Sequence, residues 1–445
     1  MIEQPHINVI GAGLAGCEAA YQAANLGVRV TLYEMKPHKY TPAHKNPNFA
    51  ELVCSNSLRS DELSNAIGVL KAELRELGSL IMESADSNRV AAGSALAVDR
   101  ELFSAYITEK IKSHPNIEVR YEEISSIDPN EITVIASGPL TSDALADYIK
   151  NELELGNLHF FDAAAPIIDF DTIDMTKAFF ASRYNKGDAD YINCPMTEEE
   201  YKIFYNELIN AQEAELHGFD RESQGLKVFE GCMPVEVMAK RGFETLLYGP
   251  LKPVGIEHPV TKETYFAVVQ LRKENNDGTM YNIVGFQTHL TFSEQKRVFG
   301  LIPGLEGASF LRYGVMHRNT YLNSPEILDI DYSLRKNPNV YFAGQITGVE
   351  GYIESCSSGF VAGYNAARRA LGLPKLDFTN KTVIGALAHY VSSPCVSGNF
   401  QPMNANFGIV APLERKVKGG KKARNEEIAK RALSIIKNLK EEENK

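Results

Sequence analysis

The apolar positions in residues 6–37, HINVIGAGLAGCEAAYQAANLGVRVTLYEMKP, change period twice. Ile7, Val9 and Ile10 read as a strand. Ala19, Ala20, Ala23 and Ala24 then make a small-residue helix face that can lie close to a sheet, with Gly27 ending the helix. Val28, Val30 and Leu32 alternate as a second strand that stops at Glu34. Further on, RELFSAYITEKIKSHP predicts an amphipathic helix, and ITVIASGPL at 132–140 a strand ending in Ser137-Gly138. From about 170 the texture changes. KAFFASRY predicts a strand. Thr197 and Glu200 form a capping box ahead of a long helix through EEEYKIFYNELINAQEAELHG. TYFAVVQLRKENNDGTMYNIVGFQTHL predicts a β-hairpin turning at Asp277-Gly278, and Thr291 with Glu294 a second capping box. The earlier pattern returns in NVYFAGQITGVEGYIESCSSGFVAGYNAARRALG, residues 339–372, as strand, glycine-rich loop and Ala/Gly-rich helix.

The pattern predicts an α/β fold in which a Rossmann-type dinucleotide domain is interrupted by an α+β insertion. The expected parts are 1–170 and 329–445 for the first domain, with 171–328 inserted. The turn between the first strand and helix holds Gly11, Gly13 and Gly16 as G-x-G-x-x-G. Gly11 permits the tight turn, Gly13 lets backbone approach a pyrophosphate, and Gly16 lets helix and strand pack closely. The phosphates then lie on the helix N-terminus, and Glu34 accepts hydrogen bonds from the adenosine ribose. Gly138 closes a second small-residue turn. Gly344, Gly351 and Tyr352 fall in the late loop, where a helix N-terminus faces the far end of such a ligand. Two separated elements of this kind favour FAD over NAD as the bound dinucleotide. No second complete G-x-G-x-x-G is present, so a nicotinamide must dock without its own Rossmann unit.

The 445 residues carry a formal charge of −11, so attraction to nucleic acid must come from local basic patches. The clearest is RKVKGGKKAR at 415–424, with Arg415, Lys416, Lys418, Lys421, Lys422 and Arg424, ahead of a charged terminal helix. No apolar run reaches the roughly 18 residues of a membrane helix, and no secretory signal is expected ahead of the first strand. Six cysteines, at 17, 54, 194, 232, 356 and 395, include no C-x-x-C. A cytoplasmic chain with reduced thiols and no structural metal is expected.

Two of those thiols have chemical potential. Cys54 stands in the polar run ELVCSNSLRS, near Arg59. Cys232, in FEGCMPVEVMAKRG, lies just ahead of a helix expected to start at Pro234, where the helix dipole favours thiolate. Cys17, in the first turn of the first helix, reads as packing. Thiolate chemistry beside a flavin includes disulfide reduction, which needs a closer cysteine pair. It also includes activation of a pyrimidine, in which addition at C6 makes C5 nucleophilic.

GAGLAGCEAAYQ, LVCSNSLRS, FEGCMPVEVMAKRG, HRNT and FAGQITGVEGYIESCSSG together resemble the folate- and FAD-dependent tRNA (uracil-5-)-methyltransferases of bacteria. The likeness runs to about residue 412. It implies FAD reduced by NADH or NADPH, methylenetetrahydrofolate as carbon donor, and conversion of the T-loop uridine of tRNA to 5-methyluridine. It also implies paired cysteines at Cys54 and Cys232. Cys232 fits the nucleophile for C6, and Cys54 fits the thiol that takes the C5 proton or guards the intermediate. The base must be flipped out to meet them. No membrane association and no obligate protein partner are expected. The competing readings are FAD-dependent wobble-uridine modification, a flavin oxidoreductase for a small molecule, and a non-catalytic RNA-binding module that holds FAD.

Overall fold

The structure is a computed structural model that describes residues 4–41, 43–151, 153, 157–163, 165–185, 189–214, 233–275, 277–314, 316–395, 400–415 and 417–443, with backbone alone for 157–163, 185 and 316–320. Two sheets organise it. The first is parallel throughout, in the order Val340–Phe342, Thr133–Ile135, His6–Ile10, Arg29–Tyr33, Ile117–Arg120. Its central strand is His6–Ile10, and four consecutive residues of it are buried. Parallel strands need crossovers that cover the sheet faces, which is why this strand reads as a continuous apolar run.

The second sheet has six strands in the order Phe179–Ala181, Tyr191–Met196, Ala267–Lys273, Met280–Ile283, Ile167–Asp169, Phe310–Arg312, all paired antiparallel. All of them lie in sequence between the fourth and fifth strands of the first sheet. Ile167–Asp169 precedes the expected 170/171 boundary yet pairs within this sheet. An antiparallel pair, Asn157–Ala163 with Met316–Leu322, connects the two sheets in sequence. Each sheet has its own apolar core.

The first helix, Leu14–Asn25, packs closely on the late helix Tyr352–Ala370. A Cβ added at Gly363 would lie 2.3 Å from Ala19 Cα, so only glycine allows this approach. The small-residue face expected to lie on the sheet is therefore also a helix–helix contact.

The Thr197–Glu200 capping box is complete. Its helix, Glu198–Ile209, ends earlier than expected because the chain then joins an extended segment: Thr291 N–H donates to Gln212 O, and Ala214 N–H donates to His289 O. At Thr291 half of the expected box forms. Glu294 N–H donates to the threonine hydroxyl, while the Glu294 carboxylate accepts from Gln212 N–H instead. The terminal helix, Gly420–Glu443, begins inside the basic stretch rather than after it.

Candidate active site

One cleft of about 1140 Å³, counted to its open mouth, runs along the C-terminal ends of the first sheet. Open parallel sheets place ligands at this edge. Gly11, Gly13, Glu34, Gly138, Gly344 and Tyr352 line it. Gly11 has φ +96°, and a Cβ on Gly16 would fall 1.7 Å from Gly11 O, so Gly16 lies behind the wall, closing helix onto strand. A Cβ on Gly13 meets no protein atom within 4 Å. Gly13 is the N-cap of the first helix, with no side-chain cap and no acidic residue in the first turn. That leaves helix amides facing open space, the arrangement that receives a pyrophosphate. Glu34 Oε2 accepts from Ala12 N–H and Oε1 from Lys36 N–H, each at 2.9 Å. These bonds fix the carboxylate at one end of the cleft and leave it lone pairs for ribose hydroxyls. The cleft thus fits the adenosine and pyrophosphate of FAD.

Gly351 is placed differently from expectation. It does not line the cleft, and a Cβ there would meet Glu354 Oε2 at 2.2 Å and Arg59 Nη2 at 2.3 Å. It caps the late helix at φ +119° and makes room for the Arg59–Glu354 ion pair. Tyr352 follows, and it lines the cleft. Its hydroxyl accepts from Cys54 N–H at 2.7 Å and from Ser55 N–H at 3.2 Å. Burial pushes the Tyr352 phenol above its usual range, and the neighbouring Cys54 adds to the shift. The phenol stays protonated at neutral pH and holds the thiol-bearing loop against the cleft wall.

Three arginines that sequence reasoning missed clamp the same loop. Arg100 donates to Leu52 O at 2.6 Å and pairs with Glu274, also at 2.6 Å. Arg272 donates to Ser55 Oγ and Asn56 Oδ1, at 2.7 and 3.1 Å. Arg312 donates to Val53 O. Burial lowers the pKa of both Arg272 and Arg312, and for Arg312 the Arg100 charge lowers it further. The hairpin run QLRKE gave the available signal: Arg272 and Glu274 are charged residues on or beside a largely buried strand.

The other cysteines are separated from this chemistry. Cys17 is buried and donates to Ala12 O, and burial pushes its thiol well up. Burial pushes Cys194 up to about 12, and Cys356 is buried against Glu18. Cys54 is half-buried and Cys395 exposed. Cys232 lies outside the described residues. The helix beyond it is Val235–Lys240, with Pro234 as N-cap rather than first helical residue, and its first amide, Val235 N–H, donates to Gln287 O. That helix has six residues.

The two ends of the stretch carrying Cys232 meet at His289. Nε2 lies 2.8 Å from Glu213 and Nδ1 2.7 Å from Glu236, while Lys240 pairs with Glu213. Burial opposes charge on the ring, but the two carboxylates overcome it and raise its pKa to about 9. Because the folded value exceeds 6.5, the stabilisation is complete below pH 6.5 and is lost as pH rises through about 9. His289→Gln should therefore cost about 3 kcal/mol near pH 6, measured by denaturant unfolding with FAD bound. The gap from the parent should close by about pH 10, and a gap independent of pH would mean that the ring is neutral.

Residues 6–374 match the family described as Glucose inhibited division protein A. The chain is 60% identical to methylenetetrahydrofolate–tRNA-(uracil-5-)-methyltransferase TrmFO of Acetivibrio thermocellus, over 97% of this chain and 98% of that protein. It is 57% identical to the protein of the same name from Streptococcus pneumoniae, over 98% and 99%. Aquifex aeolicus GidA has a similar fold, with TM-score 0.68 at 17% identity, over 99% of this chain and 74% of that one.

Proposed function

The chain belongs to the methylenetetrahydrofolate–tRNA-(uracil-5-)-methyltransferase family, and on that basis we propose that it methylates C5 of the T-loop uridine of tRNA. The carbon comes from methylenetetrahydrofolate and the reducing equivalents from NADH or NADPH. The geometric support is the Tyr352 contact, which holds the Cys54 loop beside the dinucleotide cleft. FAD would be held by Glu34 at the ribose, by the N-terminal amides of Leu14–Asn25 at the pyrophosphate, and by Gly138, Gly344 and Tyr352 towards the ring. Bound there and reduced, FAD would supply the hydride that turns the transferred one-carbon unit into a methyl group.

The chain's own part is covalent activation. The Cys232 thiolate forms a bond to C6 of uracil, and the C5–C6 π electrons move to the O4 enolate. C5 then forms its bond to the one-carbon unit. Cys54 takes the C5 proton, and that electron pair expels the tetrahydrofolate nitrogen, leaving an exocyclic methylene at C5. Hydride added to that carbon pushes electrons back to C5–C6, so the C6–S bond breaks and the 5,6 double bond returns. Arg100, Arg272 and Arg312 fix the backbone that carries Cys54. The exposed Lys421 and Lys422 stand in the first turn of the terminal helix, where cations oppose the dipole and no acidic residue offsets them. That cost is consistent with a phosphate-contacting role. Unmodified tRNA transcript, labelled methylenetetrahydrofolate and NAD(P)H test the reading. Labelled 5-methyluridine is expected, and flavin reduction without labelled product would overturn it.

A further inference from the structure

Three rings stack at the edge of the second sheet. Phe310, packed partly on the second core, lies 5.3 Å from Tyr313 at 7°, and Tyr313 lies 4.8 Å from Phe292 at 16°. Phe292 is the outermost ring and 54% exposed. It is the first residue of the helix Phe292–Phe299, a position with no structural need for an aromatic. A half-exposed phenylalanine leaves apolar area in water and one π-face open, the arrangement of a stacking platform rather than a core.

Arg312, one of the two residues between Phe310 and Tyr313, supplies a second, independent observation. Arg312 gives one N–H to Val53 O, next to Cys54, and Val53 lines the cleft. Among the described residues its guanidinium forms no ion pair, and burial and Arg100 penalise its charge more than the Glu51 carboxylate offsets. A cation kept under those conditions is suited to an anionic ligand. In a chain of charge −11, an anionic partner depends on such local cations.

We propose that Phe292, Tyr313 and Phe310 form a stacking platform for an unpaired nucleobase of the RNA, with Arg312 taking the adjoining phosphate beside the Cys54 loop. This rests on the tRNA reading above and adds where an unstacked base of the loop sits. Ring–base stacking with a neighbouring guanidinium is the common mode for unpaired bases, and it tolerates sequence because every base has a π-face.

The test is the affinity of FAD-loaded protein for unmodified tRNA transcript across a salt series. Phe292→Ala removes an exposed ring and no charge. It should raise Kd roughly 5- to 150-fold at every salt concentration, with the salt slope, FAD content and NAD(P)H oxidation unchanged. Phe292→Trp should restore affinity. Parent-like affinity in Phe292→Ala overturns the platform, and loss of self-association in that variant would assign the rings to a second copy of the chain. A changed salt slope also overturns it, because stacking releases no counterions. If the parent itself binds no tRNA, the RNA reading fails first and the platform fails with it.

Discussion

Cys232→Ala abolishes formation of 5-methyluridine while FAD content and NAD(P)H oxidation stay at the parent level. Flavin reduction needs no thiol, but C5 of uracil is too poor a nucleophile without addition at C6. The same variant loses the covalent adduct with tRNA carrying 5-fluorouracil at the target position. That base leaves C6 open to attack but has no C5 proton to remove, so the adduct accumulates. Cys54→Ala also stops turnover, yet the fluorouracil adduct still forms, because Cys54 acts after the C6–S bond exists. Denaturing gels with labelled tRNA separate the two roles. An adduct lost with Cys54→Ala and kept with Cys232→Ala would exchange the assignments. Full activity in both variants would end thiol catalysis here.

The dinucleotide half of the site was readable because its signals are local. Strand, G-x-G-x-x-G, helix, strand and terminal acid all fall within residues 6–34, and periodicity over that span fixes the turn that forms the cleft. Glu34 could be assigned from its place at the strand end, and its two backbone hydrogen bonds follow from that position. What could not be read was set by tertiary distance. Arg272 reaches Ser55 across 217 residues, and nothing in ELVCSNSLRS specifies a partner so remote. Gly351 read as a ligand-facing glycine, yet it serves the Arg59–Glu354 pair, because a glycine-rich loop does not reveal which of its glycines face solvent and which face protein. The helix from Glu198 stopped at Ile209 for a similar reason. Its helical pattern continues in sequence, but pairing with residues 289–291 offers the backbone another set of partners.

Two glycines within six residues of the end of the first strand should fail in opposite ways. Gly16→Ala puts a methyl 1.7 Å from Gly11 O, a backbone atom that cannot rotate away. Helix and strand must separate, so the apoprotein should lose stability at the top of the roughly 1–3 kcal/mol range for overpacking. Gly13→Val has no such conflict. Its backbone, φ −76° and ψ −171°, is extended and open to a β-branched residue, and its Cβ meets no protein atom within 4 Å. The apoprotein should unfold within about 1 kcal/mol of the parent, the difference between glycine and an aliphatic N-cap. The space its side chain enters is where a pyrophosphate must approach the helix amides, so the purified variant should be colourless. Flavin absorbance against denaturant unfolding of the apoproteins separates the two effects. Stoichiometric FAD in Gly13→Val would remove the glycine turn from the binding site, and a Gly13→Val apoprotein as unstable as Gly16→Ala would make the open space beside Gly13 structural rather than a place for ligand.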